Sequence, residues 1–315
     1  MHTFEPELRS LRAEGLIDDA TADRAIARDR GEVFSVHLEL RAALYAGVLL
    51  VMAGVGILLA RNLDRIGPAA VVLMIALAAV ACGVPAIRTK IAGRSLTVAG
   101  DYLLLLAALL ASAGLAYAER QFTILGPWWS WHLLLLAVVH AAIAYRFVSP
   151  LVLAASLASL VGWFGVGGSL GDVLLFSYST PALGARALAC AATIAAWRYA
   201  DRRARPHTAF SNVFDHFAAN LAFWGTLAWC LEWPWLAAGL PLLAALAYAA
   251  VRRGLDTDHE AFLVYGILYA AIGICAVTVP RLHGMTVSFA FVLIVVCIAA
   301  ATLWQLRRRL REPTP

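Results

Sequence analysis

Four polar side chains, Arg61, Asn62, Asp64 and Arg65, interrupt an apolar stretch in GVGILLARNLDRI at 54–66. An arginine and a carboxylate three residues apart can pair with each other or hold a charged ligand. The same residue types also end one helix and begin the next. In that plainer role Arg61 snorkels to the lipid headgroups, Asn62 takes a left-handed cap, Asp64 caps the following helix and Pro68 opens it. The sharper reading joins this turn to Glu119, Arg120 and Gln121, to His132, and to Asp172, Arg186, Glu232, Arg281 and His283, as an outward-opening polar vestibule. His140 adds to the same set, since His132, Leu136 and His140 form a stripe at four-residue spacing inside an apolar run. A polar ring in lipid must find a partner, so His140 is expected to face other helices. A hydrogen bond to a neighbouring helix is its simple role, and handling a proton or ligand is the alternative.

A second set lies at the opposite ends of the apolar runs: Asp101 in GDYLLLL, and Asp215, His216 and Asn220 in FSNVFDHFAAN. Carboxylates at helix starts complement the N-terminal dipole and cap it, and Asp215 with Asn220 can also reach a cation or a lipid headgroup. No Gly-rich phosphate loop, nucleophile elbow or His-Glu-x-x-His pair occurs, so no catalytic residue, cofactor or metal ligand is assigned. Cys82, Cys190, Cys230, Cys275 and Cys297 never pair at Cys-x-x-Cys spacing and are expected to be small packing residues.

The elements that carry these groups are set by composition. Of 315 residues 62% are hydrophobic and 14% charged, with a mean hydropathy of +0.78, whereas a soluble domain has about 25% charged residues. Ten apolar runs, near 42–60, 68–87, 99–118, 129–146, 149–167, 182–199, 213–231, 234–251, 260–279 and 285–305, approach the length of about 20 residues that a bilayer requires. They are continuous rather than alternating, which points to helices and away from a barrel. The expected fold is all-α, a polytopic bundle of about ten spans. Ala43, Gly47 and Gly54, with Gly56 nearby, would let another helix approach the first span closely. The expected divisions are a cytoplasmic head at 1–40, membrane regions at 41–175 and 176–306, and a basic tail at 307–315.

Lys and Arg orient the chain, because cytoplasmic loops carry the excess. Placing both termini in the cytoplasm puts twenty of the twenty-five basic residues inside. The net charge of +5 then reflects orientation in a cell membrane, a bacterial inner membrane in this reading. The basic stretches RYADRRARP and RRRLR would draw anionic lipid, and they lack the base-reading groups of a nucleic-acid partner. Residues 4–31 parse into two short helices, with Pro6 in a first turn, Gly15 and Gly31 as closing residues and Asp18 as a cap. So small a pair needs to dock, on its own chain, a second copy or another protein.

Three stretches carry a resemblance: EGLID at 14–18; GVLLVMAGVGILLARNLDRI at 47–66; and GLAYAERQFTI at 114–124 with WWSWHLLLLAVVHAAIAYRFVSPLVLAASLASLVGWF at 128–164. Over roughly the first half of the chain these resemble the bacterial membrane family designated domain of unknown function 2157, although Leu63 stands where that family commonly has tryptophan. The resemblance implies an integral bacterial membrane protein and no particular reaction. The functional expectation is therefore a transporter or a lipid- or small-molecule-binding membrane protein. A scaffold or sensor presenting residues 1–40 to a protein partner comes second, and a membrane-embedded enzyme third.

Overall fold

The computed structural model describes residues 10–16, 18, 19, 21–23, 25, 37–62, 67–93, 96–124, 126, 131–165, 181–204, 208–257 and 259–311, with the backbone alone at 37, 38, 58–62, 181, 208 and 309–311. Among the described residues there is no strand. Among them, after the head, are ten α-helices: α1 (His37–Asn62), α2 (Pro68–Ile91), α3 (Val98–Phe122), α4 (Trp131–Phe147), α5 (Pro150–Trp163), α6 (Pro181–Ala204), α7 (Thr208–Leu231), α8 (Leu236–Asp256), α9 (Glu260–Thr278) and α10 (Met285–Arg311). Each apolar run marked in the sequence falls on one of them. Short 3₁₀ turns, Trp233–Trp235 and Val279–Arg281, precede α8 and follow α9.

About ten crossings is somewhat more than the helices show by length and composition. By length and composition six of the described helices can span a bilayer: α1, α2, α3, α8, α9 and α10. Two others are apolar but short, since α4 has 17 residues and α5 has 14, or roughly 26 and 21 Å of helix against a hydrocarbon core of about 30 Å. The remaining two, α6 and α7, have 24 residues each but are diluted by Arg186, Arg198, Asp201 and Arg202 on one and by Asp215, His216 and Asn220 on the other. The chain is a multi-pass membrane protein, with fewer spans evident from these criteria than the expected ten.

The chain divides into two compact units, residues 1–58 with 311–315, and residues 59–310. In the first unit, Gly15 (φ +68°) closes a helical turn: its N–H bonds to the Arg12 carbonyl and that of Leu16 to Leu11, both at 3.0 Å, the pattern of a left-handed glycine cap. The Asp18 carbonyl accepts from Thr21 and Ala22, so the next helical turn begins there, as the sequence suggests. Arg12 ties the two pieces by reaching Asp19 at 2.6 Å and Asp23 at 3.2 Å. These pairs are exposed and contribute at most about 1 kcal/mol.

The second unit is a row of helical hairpins, α2 with α3, α4 with α5, α6 with α7, and α8 with α9, in which α7 also packs on α5, α8 and α9. The α4–α5 turn shows how little chain a hairpin needs. Val148 turns left-handed (φ +56°), the Ser149 N–H bonds to Ala144 at 3.0 Å, and the Ser149 hydroxyl caps α5 by accepting from Val152 at 3.2 Å, with Pro150 in the first turn. One core cluster runs from Ala86 on α2 through Leu104, Ala144, Leu153 and Ile194 to Phe214, and a second joins Phe223, Leu227, Leu243 and Tyr269. Helix α7 supplies residues to both. Where apolar burial does not drive helix association, close backbone approach does much of that work. At the α6–α7 crossing, Cβ atoms at Gly184 and Gly225 would each lie 2.8 Å from the other glycine's carbonyl oxygen.

Candidate functional site

Of the vestibule residues, Asp64 and the side chains of Arg61 and Asn62 lie outside the described residues, as does Asp172. Glu119 near the end of α3 and His132 at the start of α4 are buried, at 6% and 5% exposure. Glu119 staples the connection between these helices, because its Oε1 accepts from the Gly126 N–H at 2.9 Å while its carbonyl accepts from Thr123, the left-handed residue that closes α3. Arg120 and Gln121 are exposed beside it. His140 is buried as expected and meets α3, with Nε2 3.0 Å from Ser112 Oγ. Since Ser112 Oγ donates to the Ala108 carbonyl at 2.8 Å, its lone pair faces His140, whose Nε2 is therefore the donor. Among the described residues Nδ1 has no partner.

Helix α3 is capped by Thr97, whose Oγ1 accepts from Gly100 at 3.1 Å, rather than by Asp101. Asp101 sits one turn in and accepts instead from the Ser149 hydroxyl at the start of α5. Asp215 is likewise no cap, because α7 begins at Thr208, ahead of the apolar run. Nothing between Thr208 and Asp215 breaks a helix, and Phe210 and Phe214, both fully buried, already align on its inner face. Two turns into α7, Asp215 is 8% exposed and pairs with two guanidinium groups, Arg198 of α6 and Arg253 of α8.

The neighbours of Asp215 belong to the same assembly. His216 Nδ1 is 3.1 Å from the Tyr265 hydroxyl, and its ring lies parallel to Phe262 at 5.6 Å. The other side of that contact is cationic, with Arg253 5.1 Å from the Phe262 ring centre. One turn further along α7, Asn220 accepts from the Tyr269 hydroxyl at 2.8 Å and donates to the His216 carbonyl. Asp215, His216 and Asn220 thus come together as one network across α6–α9, and Asp101 belongs to a different one.

Above this network a groove of about 740 Å³ runs between α6 and α8 with α7 as its floor, within the roughly 300–1,000 Å³ typical of small-ligand sites. Each helix contributes one stripe at helical spacing: Ala195, Arg198 and Arg202 from α6; Asp215, Ala218, Ala219 and Phe223 from α7; Leu246, Ala249, Ala250 and Arg253 from α8. The groove is divided along its length. Among the described residues, Arg198, Arg202, Arg252 and Arg253 crowd one end against two carboxylates, Asp215 and Asp256, an excess of two positive charges. Towards the other end the walls are alanine, closed by Leu246 and Phe223. Arg202 and Arg252 are exposed at the mouth, and among the described residues neither has a carboxylate partner.

In the sequence Arg198 and Arg202 stand as orientation signals within a basic stretch that draws anionic lipid, with no carboxylate assigned to them. The signal that finds them is Asp215 itself, since a carboxylate inside a helix run demands a cation from a neighbour. Arg198 and Arg202, four apart on the same face as Ala195, offer one.

The matched stretches of the first half can now be set beside this geometry. Residues 9–153 match the family described as "Predicted membrane protein (DUF2157)". No curated protein and no solved structure matches the chain. The DUF2157 match takes in α1 to α4 and the opening turn of α5, hence His140 with Ser112, Glu119 and His132. The arginine groove on α6–α8 lies beyond it.

Proposed function

We propose that this chain is a ligand-binding membrane protein, and that its site is the arginine-headed groove on α6, α7 and α8, which takes a small anionic group from the cytoplasmic side. One observation carries the reading: Arg198, Arg202, Arg252 and Arg253 converge from two helices on a cavity whose lining, among the described residues, has two carboxylates. Guanidinium groups bind phosphate and carboxylate through paired, directional hydrogen bonds. Asp215 and Phe262 hold Arg253 in place, and Asp215 does the same for Arg198. The basic ends of α6 and α8 are those that the Lys and Arg bias assigns to the cytosol.

The test is native mass spectrometry of the full chain, extracted from the membrane that expresses it. Wild type is expected to carry a bound anionic species, absent from the double variant Arg202→Gln/Arg252→Gln. Both side chains are exposed, so the fold should tolerate their loss. A bare wild-type chain, or an adduct that survives in the double variant, overturns the proposal.

A further inference from the structure

The division of the groove into a charged end and an apolar end identifies the class of ligand. A free anion needs only the arginine end. Here the cavity continues past Asp215 along α7 to Phe223, about 12 Å of helix, and along α8 from Thr257 back to Leu246, about 16 Å. Over that length the walls are Ala195, Ala218, Ala219, Ala249 and Ala250. Five short side chains on three helices keep the space open and offer no hydrogen-bonding group. Ala195 and Ala249, one on each wall, are exposed, so the channel is open along its side, where lipid would lie.

Resting on the reading above, we infer that the occupant is one anionic phospholipid of the cytoplasmic leaflet, its phosphate held by Arg202 and Arg252 at the mouth and an acyl chain laid along the alanine channel. Basic pockets between spanning helices at the cytoplasmic face suit phospholipid headgroups, and the surrounding leaflet supplies them. Arg198 and Arg253 are ion-paired with Asp215, whose charge also reaches Arg202; Arg202 and Arg252, beyond ion-pair distance of any described carboxylate, are left to meet the phosphate. A zwitterionic lipid brings its own ammonium group and gains less from two exposed guanidiniums. A free phosphate or phosphate ester gains nothing from the alanine channel.

The experiment adds dioctanoyl phosphatidylglycerol, dioctanoyl phosphatidylethanolamine, glycerol 3-phosphate or inorganic phosphate to the delipidated full-length protein in detergent, and counts bound ligand by native mass spectrometry. We expect one phosphatidylglycerol per chain, bound at least tenfold more tightly than phosphatidylethanolamine and than either soluble phosphate. Arg202→Gln/Arg252→Gln should weaken it at least tenfold. Ala249→Trp, which fills the channel from a lipid-exposed position and leaves every charge in place, should do likewise, and Ala195→Trp fills it independently from the opposite wall. If a soluble phosphate binds as tightly as phosphatidylglycerol in an arginine-dependent way, or if both tryptophan variants bind phosphatidylglycerol normally, the lipid assignment falls while the anion site stands. If no probe binds in an arginine-dependent way, both fall.

Discussion

Removing the Asp215 carboxylate strands Arg198, whose side chain is 12% exposed and has no other ion-pair partner among the described residues. Breaking a buried pair by deleting one partner costs about 3–5 kcal/mol, because the survivor keeps its desolvation cost and loses its counter-charge. Asp215→Ala should therefore lower the thermal midpoint of the purified full chain far more than Arg202→Gln, which removes an exposed group. Adding Arg198→Met to Asp215→Ala should restore part of the loss, since an apolar side chain of similar length needs no partner, and thermal unfolding in detergent reads all of these. An equal loss in the single and double variants would assign the effect to packing instead of charge. Val148 offers the opposite sign. A β-branched residue at φ +56° sits in a region that costs an L-residue about 1–2 kcal/mol, so Val148→Gly should raise the same midpoint. A fall would mean that the 45% exposed Val148 side chain contributes more in contacts than the backbone loses in strain.

Helix pairing rests on where the small residues fall, and that is testable by contrast. A methyl group on Gly184 would lie 2.5 Å from Trp229 and 2.8 Å from the Gly225 carbonyl, whereas one on Gly83 of α2 meets Ala107 at 3.8 Å, an ordinary contact. Gly184→Ala should force α6 and α7 apart and lower the thermal midpoint. Gly83→Ala should leave it unchanged or raise it slightly, since alanine favours a helix interior by roughly 0.5–1 kcal/mol; equal effects would refute the assigned crossing. The contrast also marks what the sequence disclosed. Apolar runs are local, and all ten became helices. Local chemistry likewise disclosed Gly15 as a cap and the need of His140 for a partner. Pairing is not local: Arg253 reaches Asp215 across 38 residues, and which face of α6 meets α7 depends on helix rotation, which residue spacing alone leaves open. The small residues on α6 and α7, which make the crossing, therefore carried no mark of it in the sequence. For the same reason Asp215 was legible as a polar group that needed explaining, while its arginines were legible only as charge.

Two polar clusters act as depth markers for the second unit and bear on how many of its helices cross the bilayer. Asp215, near the start of α7, holds Arg198 near the end of α6 and Arg253 near the end of α8, so these three helix ends share one level. Helix α7 then runs to a short turn at Trp233–Trp235 that begins α8, so α7 must traverse whatever depth α8 does, despite its polar residues. The Gly184–Gly225 contact, ten residues or about 15 Å beyond Asp215 along α7, carries α6 through much of that depth too. The bond from Ser149 to Asp101 places the α4–α5 turn level with the start of α3, so α4, although short, returns across the layer that α3 crosses. If only the six long apolar helices crossed, the ends of α6 and α8 would lie on opposite sides of the membrane, and one carboxylate could not hold both arginines. Single cysteines in a chain whose five native cysteines are replaced test this with a membrane-impermeant maleimide. Val148→Cys, Arg203→Cys and Thr257→Cys should react only after the cells are permeabilised, and Ile124→Cys and Trp233→Cys in intact cells. Reaction of Arg203→Cys in intact cells, with Thr257→Cys still protected, would put the two arginine-bearing ends on opposite faces and dismantle the groove along with the crossing count.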